Sequence, residues 1–471
     1  MNHRYQAVVL GMGPAGMAAA IELSRAGVVT AIIDQALGPG GQVYSQPPTE
    51  FVFPSRLRKW RHKIGNSLLT ELARSGSSLR ILQGAVIWGA FTPGFLSIRQ
   101  SNRTFTIGYD KLIICEGAQE RVIPCPGWTL PGVFTIGGLR KMVATQGIVP
   151  QGRVLLAGSG PLLVGTGADL VRAGIRPIGW YEAVPFKKWA SLGIGMLKWP
   201  QIIPESLSYL KDLLIGGVRL NFGWGLKCLS GDVRVKRATM VRLDDKGAPI
   251  PGSEKRVPVD VVGIGSGLIP TLRLTRLVGC RIEYDWESRC FMPEADDWGQ
   301  SSQSGIYLAG DGFKVGGADW SEVQGRLAGL HAAWSLNHLD SKKFSKNSHV
   351  WQHAKRMLGI YRKRYHEVFT PQDGHFQSIT PETIVCRCEG VTFKDILTQI
   401  IRGDCDLTAL KTTRLGMGPC QGRVCENIAT EFLRINRVPH AKLNPLNLRP
   451  PLTPLPLSAF GKLEKENEFN L

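Results

Sequence analysis

The sequence predicts an α/β chain in which a dinucleotide-binding β-α-β unit occurs twice, followed by a small cysteine-bearing domain. Three observations predict it. A Gly-x-Gly-x-x-Gly run at 11–16 joins a strand-like apolar segment to a helix-like one. A second run on the same plan starts at Gly158. Five of the ten cysteines fall between positions 386 and 425.

The composition agrees with a folded, multi-domain chain. At 471 residues and roughly 150 per domain, about three domains are expected. With 43% hydrophobic and 20% charged residues, the chain is neither disordered nor fibrous. No stretch approaches the roughly 18 apolar residues of a membrane span. Residues 1–5, MNHRY, run straight into a strand-like segment without a signal peptide, so a cytoplasmic protein is expected. Fifty-five glycines far exceed the ~7% average. The formal charge is +19, which suits a solubilising surface, an acidic partner or anionic lipid. Lys342, Lys343, Lys346, Lys355, Arg356, Arg362, Lys363 and Arg364 concentrate it, and no recognition helix points to nucleic acid.

In the first unit, residues 5–10 read as a buried strand, MAAAIELSRAG as a helix, and VVTAIID as a second strand ending at Asp34. Gly11 permits the tight turn, Gly13 lets backbone approach a pyrophosphate, and Gly16 lets the helix pack against the sheet. Pro14 and Ala15 open that helix, whose free N–H groups and positive dipole end suit phosphate oxygens. Asp34 stands where an acid accepts ribose hydroxyl protons. The second unit, at roughly 150–265, has Gly158, Ser159 and Gly160, then a strand ending at Glu182. Its third glycine is replaced by Leu163, so its helix must stand further off. NAD(H), another adenine nucleotide, or a fold kept without ligand all remain open there.

The cysteines form two pairs, Cys386-x-Cys388 and Cys420-x4-Cys425, thirty-one residues apart. Flanking glycines (Gly390, Gly416, Gly418, Gly422) make loops whose N–H groups can point at sulfur. Four thiolates in two pairs fit either a zinc ion or a [2Fe–2S] cluster, although C-x-C is a strained bite for one tetrahedral ion. Cys405, between the pairs, reads as a core residue. Cys115, Cys125, Cys228, Cys280 and Cys290 read as structural thiols, and no C-x2-C exists for disulfide reduction. His3, His62 and His331 stand alone, and Trp320 and Glu322 read as structural, so no catalytic residue is assigned.

Gly40-Gly41-Gln42, YDKLIICEGA (109–118) and GIYLAGD (305–311), in this order, resemble the two-dinucleotide flavoproteins that include thioredoxin and ferredoxin reductases. The resemblance implies FAD on the first unit, with Gly41, Gln42, Gly117 and Gly310 at the cofactor and Asp311 on its ribityl chain. Glu116 is an unusual occupant of the returning strand's end. CRCEGVT, a helix, then GMGPCQGRVC resembles the bacterioferritin-associated ferredoxin domain and implies [2Fe–2S] on Cys386, Cys388, Cys420 and Cys425.

With GGQVYSQPP, CPGWTLPGV and LRPPLTPLPL added, nearly the whole chain resembles the A (α) subunit of bacterial multi-subunit amino-acid dehydrogenases. That group includes opine oxidases, D-hydroxyproline and L-proline dehydrogenases, and hydrogen cyanide synthase. The fold so implied is a two-dinucleotide-binding-domain flavoprotein with an inserted second Rossmann-like domain and a small C-terminal [2Fe–2S] domain. The resemblance implies a glycine/D-amino-acid-oxidase-like partner subunit that oxidises the substrate, with flavin mononucleotide at the interface, and relay of electrons by this chain to an acceptor other than oxygen. Two other functions compete: a stand-alone NAD(P)H-dependent flavoprotein reductase and a non-catalytic, cofactor-bearing scaffold. The expected layout is an FAD domain at 1–120 and 300–340, the second unit at 150–265, a basic helical linker at 341–380, the iron–sulfur domain at 383–433, and an extended proline-rich tail at 438–471, with peripheral contact at the inner membrane face as an option.

Overall fold

Residue 7 of the chain is already in the core. Ala7, Val8 and Val9 of the strand Arg4–Leu10 are fully buried on both faces, as an internal parallel strand requires. The structure, a computed structural model, describes residues 4–46, 54–63, 65–196, 200–403, 406–439 and 442–461. His3, Cys405, the side chain of His62 and the last ten residues of the tail fall outside them.

Arg4–Leu10 pairs in parallel with Thr30–Asp34 on one side and Arg103–Ile114 on the other. Leu79–Gln83 extends one edge, Ile306–Leu308 pairs with Arg103–Ile114, and the meander of Ala85–Gly89 and Phe95–Gln100 completes the seven-stranded sheet. The first helix, Pro14–Arg25, is buried from Pro14 to Leu23. Its cover is the helix Ala318–Ser335. The two meet backbone to backbone: a methyl on Gly325 would lie 2.0 Å from Ala15 O, and one on Gly329 2.6 Å from Ala19 O. Arg326, between those glycines, is buried and bonded to Glu22, Glu71 and Glu322 at 2.8–3.0 Å, so its charge is compensated where burial alone would make it costly.

The second unit is a five-stranded parallel sheet in the order Leu220–Phe222, Gly179–Glu182, Val154–Ser159, Val261–Ser266, Val133–Thr135. It therefore starts before the expected residue 150, because Val133–Thr135 and the helix Ile136–Gln146 complete its edge. The two units are joined by the antiparallel pair Ala118–Glu120 and Leu268–Pro270.

The segment expected as a linker is a 29-residue helix, Ser341–Phe369, capped by Asp340 and packed against Ala318–Ser335 and Phe186–Met196. Leu358, Tyr361 and Phe369 are buried, which makes it an internal support. The C-terminal unit has a hairpin, Ile384–Cys386 with Val391–Thr392, and the helices Phe393–Ile401 and Glu426–Ile435. Thr392 and Asp395 form a reciprocal cap on the first helix. The tail carries no helix or strand from residue 443 to 457 and lies across the chain itself. Proline ends at 456, and Ser458–Gly461 then forms one helical turn. Upstream, Leu443 and Leu446 enter the core of the cysteine unit, whereas Leu452 packs on the meander and donates its N–H to Trp88 O at 2.8 Å. Among the described residues no helix is long and apolar enough to cross a membrane.

The glycine seam yields a contrast. Gly325→Ala is expected to cost roughly 1–3 kcal/mol or more. Gly359→Ala, on a helix position with open space around its Cα, is expected to be neutral or stabilising by up to about 1 kcal/mol. Thermal unfolding of the two variants checks this; equal midpoints would mean that the seam tolerates a methyl.

Candidate functional site: a dinucleotide cradle and a paired cysteine array

Three loops at the carboxyl ends of parallel strands build the cradle, where ligands of such sheets bind. The turn after Arg4–Leu10 is the first. Gly11 has φ +96° and packs on Cys115 O, while a methyl on Gly16 would lie 1.7 Å from Gly11 O. These two glycines serve the fold. Gly13 differs: the only atom near its missing Cβ is Gly41 Cα at 3.9 Å, so the space in front of it is open. Pro14 and Ala15 begin the helix behind it. Asp34 accepts the N–H groups of Met12 at 2.5 Å and Ala36 at 2.7 Å, which fixes its carboxylate beside the turn. Gly40 donates to Met12 O at 2.8 Å and brings Gly41 over Gly13. Gln42, next in line, is exposed.

The other two loops face the first. Gly310 approaches Ala15, with 2.7 Å between its missing Cβ and that of Ala15. Asp311 is half-buried, its Oδ1 accepting from Gly316 N, Gly317 N and Ser321 Oγ. Burial pushes its carboxyl up, and those three donors oppose the shift. Gly117 lies across from Gly312, with open space at its own Cβ position. Glu116 finds its explanation here. Its carboxylate accepts the N–H groups of Leu274 at 3.0 Å and of Thr275, so it caps the short helix Arg273–Leu277.

The second glycine loop is built differently. Leu163 is fully buried in the core, and the close backbone approach has moved to Gly158, whose Cβ would lie 1.7 Å from Gly265 O. Glu182 takes the place of Asp34, but it is fully buried and spent on Gly160 N and Val184 N, both at 3.1 Å. The loop is also covered. From the helix Ser341–Phe369, Tyr365 Oη and the Phe369 ring stand 3.8 and 4.0 Å from the Cβ position of Gly160. A dinucleotide laid across this loop would meet both rings. A cavity of about 100 Å³ remains beside it, lined by Ser159, Val184, Lys188, Asp244 and Phe369. No sequence signal marks Tyr365 or Phe369, because the covering helix is about 200 residues downstream in a chain of 471.

The four cysteines come together in two pairs. Cys386 lies beside Cys425, and Cys388 beside Cys420. Cys386 and Cys425 are buried, Cys388 is exposed and Cys420 half-buried. Among the described residues no three His, Cys, Asp or Glu side chains converge as one metal ion requires; the sulfurs form an inner and an outer pair. The Cys425 thiol and the backbone N–H groups of Gly416, Glu389 and Cys388 hold the Cys386 thiol down at about 5, against burial. Donors aimed at sulfur in this way stabilise thiolate ligands. His331 is bonded to Tyr307 at 3.0 Å, and Trp320 Nε1 to Lys314 O, so both are structural.

Burial holds the Glu182 carboxyl up at about 7, opposed by the N–H groups of Val184 and Gly160. An acid whose pKa is raised by folding leaves stability complete below its unfolded value, 4.5, and stability falls as pH rises through the folded value. Urea unfolding is expected to show a loss of roughly 1–3 kcal/mol between about pH 5 and pH 8. Glu182→Gln is expected to flatten that slope; an unchanged slope would assign it to another group.

The comparisons match this architecture. The family model described as pyridine nucleotide-disulphide oxidoreductase matches residues 5–176. The solved structure of L-proline dehydrogenase from P. horikoshii superposes with a TM-score of 0.67 at 16% identity, over 98% of this chain and 80% of that one, which shows the shared fold. Among curated proteins, the A subunit of opine oxidase from Agrobacterium tumefaciens is 30% identical over 98% of this chain and 92% of its own. The HcnB subunit of hydrogen cyanide synthase from Pseudomonas aeruginosa is 33% identical over 98% of this chain and 99% of its own. With likeness running end to end through both glycine loops and the cysteine unit, the chain belongs to the family formed by the HcnB subunit of hydrogen cyanide synthase and the A subunit of opine oxidase.

Proposed function

We propose that this chain is the electron-transfer subunit of a multi-subunit dehydrogenase that oxidises an amino acid, imino acid or opine at the flavin of a partner subunit. Electrons leave it for an acceptor other than oxygen. The observation that carries the proposal is the covered second loop. A self-sufficient reductase draws hydride from a nicotinamide held by its second unit, and here Tyr365 and Phe369 stand over the loop that such a nucleotide crosses. Electrons then have to arrive by another route, and the full-length relatives are themselves named as subunits.

FAD is assigned to the cradle of Gly11, Gly13, Gly16, Asp34, Gly41, Gly117, Gly310 and Asp311, and [2Fe–2S] to Cys386, Cys388, Cys420 and Cys425. The open space before Gly13 and the fixed carboxylate of Asp34 suit the first; two sulfur pairs suit a cluster that takes two thiolates on each iron. When bound, FAD supplies two-electron acceptance and the cluster one-electron transfer.

His366 is bonded to Val315 O, and burial, together with the Arg362 charge, brings it down to about 4, so it is uncharged at neutral pH. The outer sulfur pair opens to the surface beside exposed Arg387 and Met417, which suits an exit toward an acceptor. The exposed stripe of Lys342, Lys346, Arg356 and Lys363 suits an acidic face on the partner. A glycine/D-amino-acid-oxidase-like partner, flavin mononucleotide at the interface and a cytoplasmic location complete the proposal; the free state of every described cysteine suits a reducing compartment.

Anaerobic NADH titration of the purified chain tests it. No bleaching of the flavin band is expected, with full bleaching by dithionite and, once the partner is added, by the amine substrate. Stoichiometric bleaching by NADH alone would replace the proposal with a stand-alone reductase. A second expectation concerns Gly13. Because a methyl there meets open space, Gly13→Ala is expected to fold with an unchanged urea midpoint yet bind FAD at least about tenfold more weakly, read by flavin retention on dialysis.

A further inference from the structure

Between the cradle and the cysteine array lies a polar seam that neither motif announces. The strand Ala118–Glu120 directly follows Gly117, and Gln119 Nε2 donates to Arg423 O at 3.0 Å. Arg273 Nη2 donates to Gln421 Oε1 at 2.7 Å. Arg276 pairs with Glu426 at 3.0 Å. Gln421 and Arg423 lie between Cys420 and Cys425, and Glu426 follows them. Three side chains of the flavoprotein body thus grip one sulfur-bearing loop.

The two buried-side arginines are not equivalent. Arg276 has a carboxylate. Among the described residues Arg273 forms no ion pair; its partner is the neutral amide of Gln421, and its Nε is buried without a hydrogen-bond partner. The carboxylate of Glu116 acts on Arg273 only at a distance, without an ion pair, while accepting the N–H groups of Leu274 and Thr275. The charged groups that Arg273 feels are Arg423, Glu116 and Cys420. The cavity of about 30 Å³ beside it is lined by two further arginines, Arg276 and Arg423, and by the single carboxylate of Glu426, which Arg276 already holds. A guanidinium in such a place is costly unless a fixed negative charge faces it. Two ferric ions, two sulfides and four thiolates sum to a dianion, and one-electron reduction adds a further negative charge.

We propose that Arg273 is a positioning residue of the relay: it holds the Cys420–Cys425 loop against the strand leaving the FAD cradle, and its unpaired charge favours the reduced cluster. This rests on the iron–sulfur assignment proposed above. Arg276 and Arg423 do not share the role, since one is neutralised by Glu426 and the other is exposed.

The test is a redox titration of full-length protein, followed by the paramagnetic signal of the reduced cluster, with iron and flavin content measured on the same samples. In Arg273→Gln the equilibrium is expected to shift three- to tenfold toward the oxidised cluster, a tenfold shift being about 59 mV for one electron. Arg273→Lys, which keeps the charge, is expected to stay near wild type even if Arg273→Gln assembles poorly. A wild-type potential in a fully loaded Arg273→Gln overturns the proposal, as does an Arg273→Lys that falls as far as Arg273→Gln. If the wild-type chain holds zinc and gives no signal with dithionite, the iron–sulfur assignment itself fails and takes the role of Arg273 with it. An intact wild-type signal with unshifted variants removes only the role of Arg273.

Discussion

The contact on which the rest of the structure depends is the seam between the helices Pro14–Arg25 and Ala318–Ser335. Gly16 sits on Gly11 O, Gly325 on Ala15 O and Gly329 on Ala19 O. These approaches are possible only where no Cβ intervenes. They bring the N-terminus of the first helix and the loop of Asp311 to the same place, although the two are about 300 residues apart in sequence. Close packing would leave Arg326 buried as a bare charge, and the three glutamates around it remove that cost while tying in a third helix, Asn66–Ala73, through Glu71. The cradle is thus a by-product of a packing problem, and its spare space lies where no packing demand exists, in front of Gly13 and Gly117.

The second unit shows what happens when that demand is lifted. With Leu163 in place of a glycine, the helix Pro161–Arg172 stands off and fills the gap with side chain. The acidic residue gains a methylene as Glu182 and is drawn inward, onto Gly160 N and Val184 N. The chain's own aromatic residues come up to this loop, with Tyr365 and Phe369 beside Gly160. The same fold therefore serves as a cradle in one copy and as a docking surface for an internal helix in the other.

Much of this was legible in the sequence wherever chemistry is encoded within one turn of chain. Gly11–Gly16 with its flanking strands, Asp34 at a strand end, and the two cysteine pairs all announce themselves by spacing. What stayed hidden depends on distant contacts. Glu116 looks anomalous in the returning strand, and only the presence of Arg273–Leu277 above it shows a cap. Ser341–Phe369 reads as a charged linker because its exposed stripe is basic, whereas its buried stripe of Leu358, Tyr361 and Phe369 is diluted across 29 residues. The tail reads as extended because of its prolines, and the single turn Ser458–Gly461 appears just past the last of them.

The arrangement of the cysteine unit follows from how it is attached. Its core is shared with Leu272, Tyr284 and Phe291 of the flavoprotein body, and the tail inserts Leu443 and Leu446 into the same core before crossing to Trp88. A unit fixed on two sides in this way cannot swing to collect electrons at one place and deliver them at another. The relay proposed above then runs along a fixed connection, from Gly117 through Gln119, which is bonded to Arg423 of the Cys420–Cys425 loop. A static path needs its two ends to differ, and they do: the inner sulfurs of Cys386 and Cys425 are sealed from water, and the outer sulfur of Cys388 faces it. With a cluster on these four sulfurs, only the side of Cys388 would lie open to an acceptor, so docking there would decide where electrons leave.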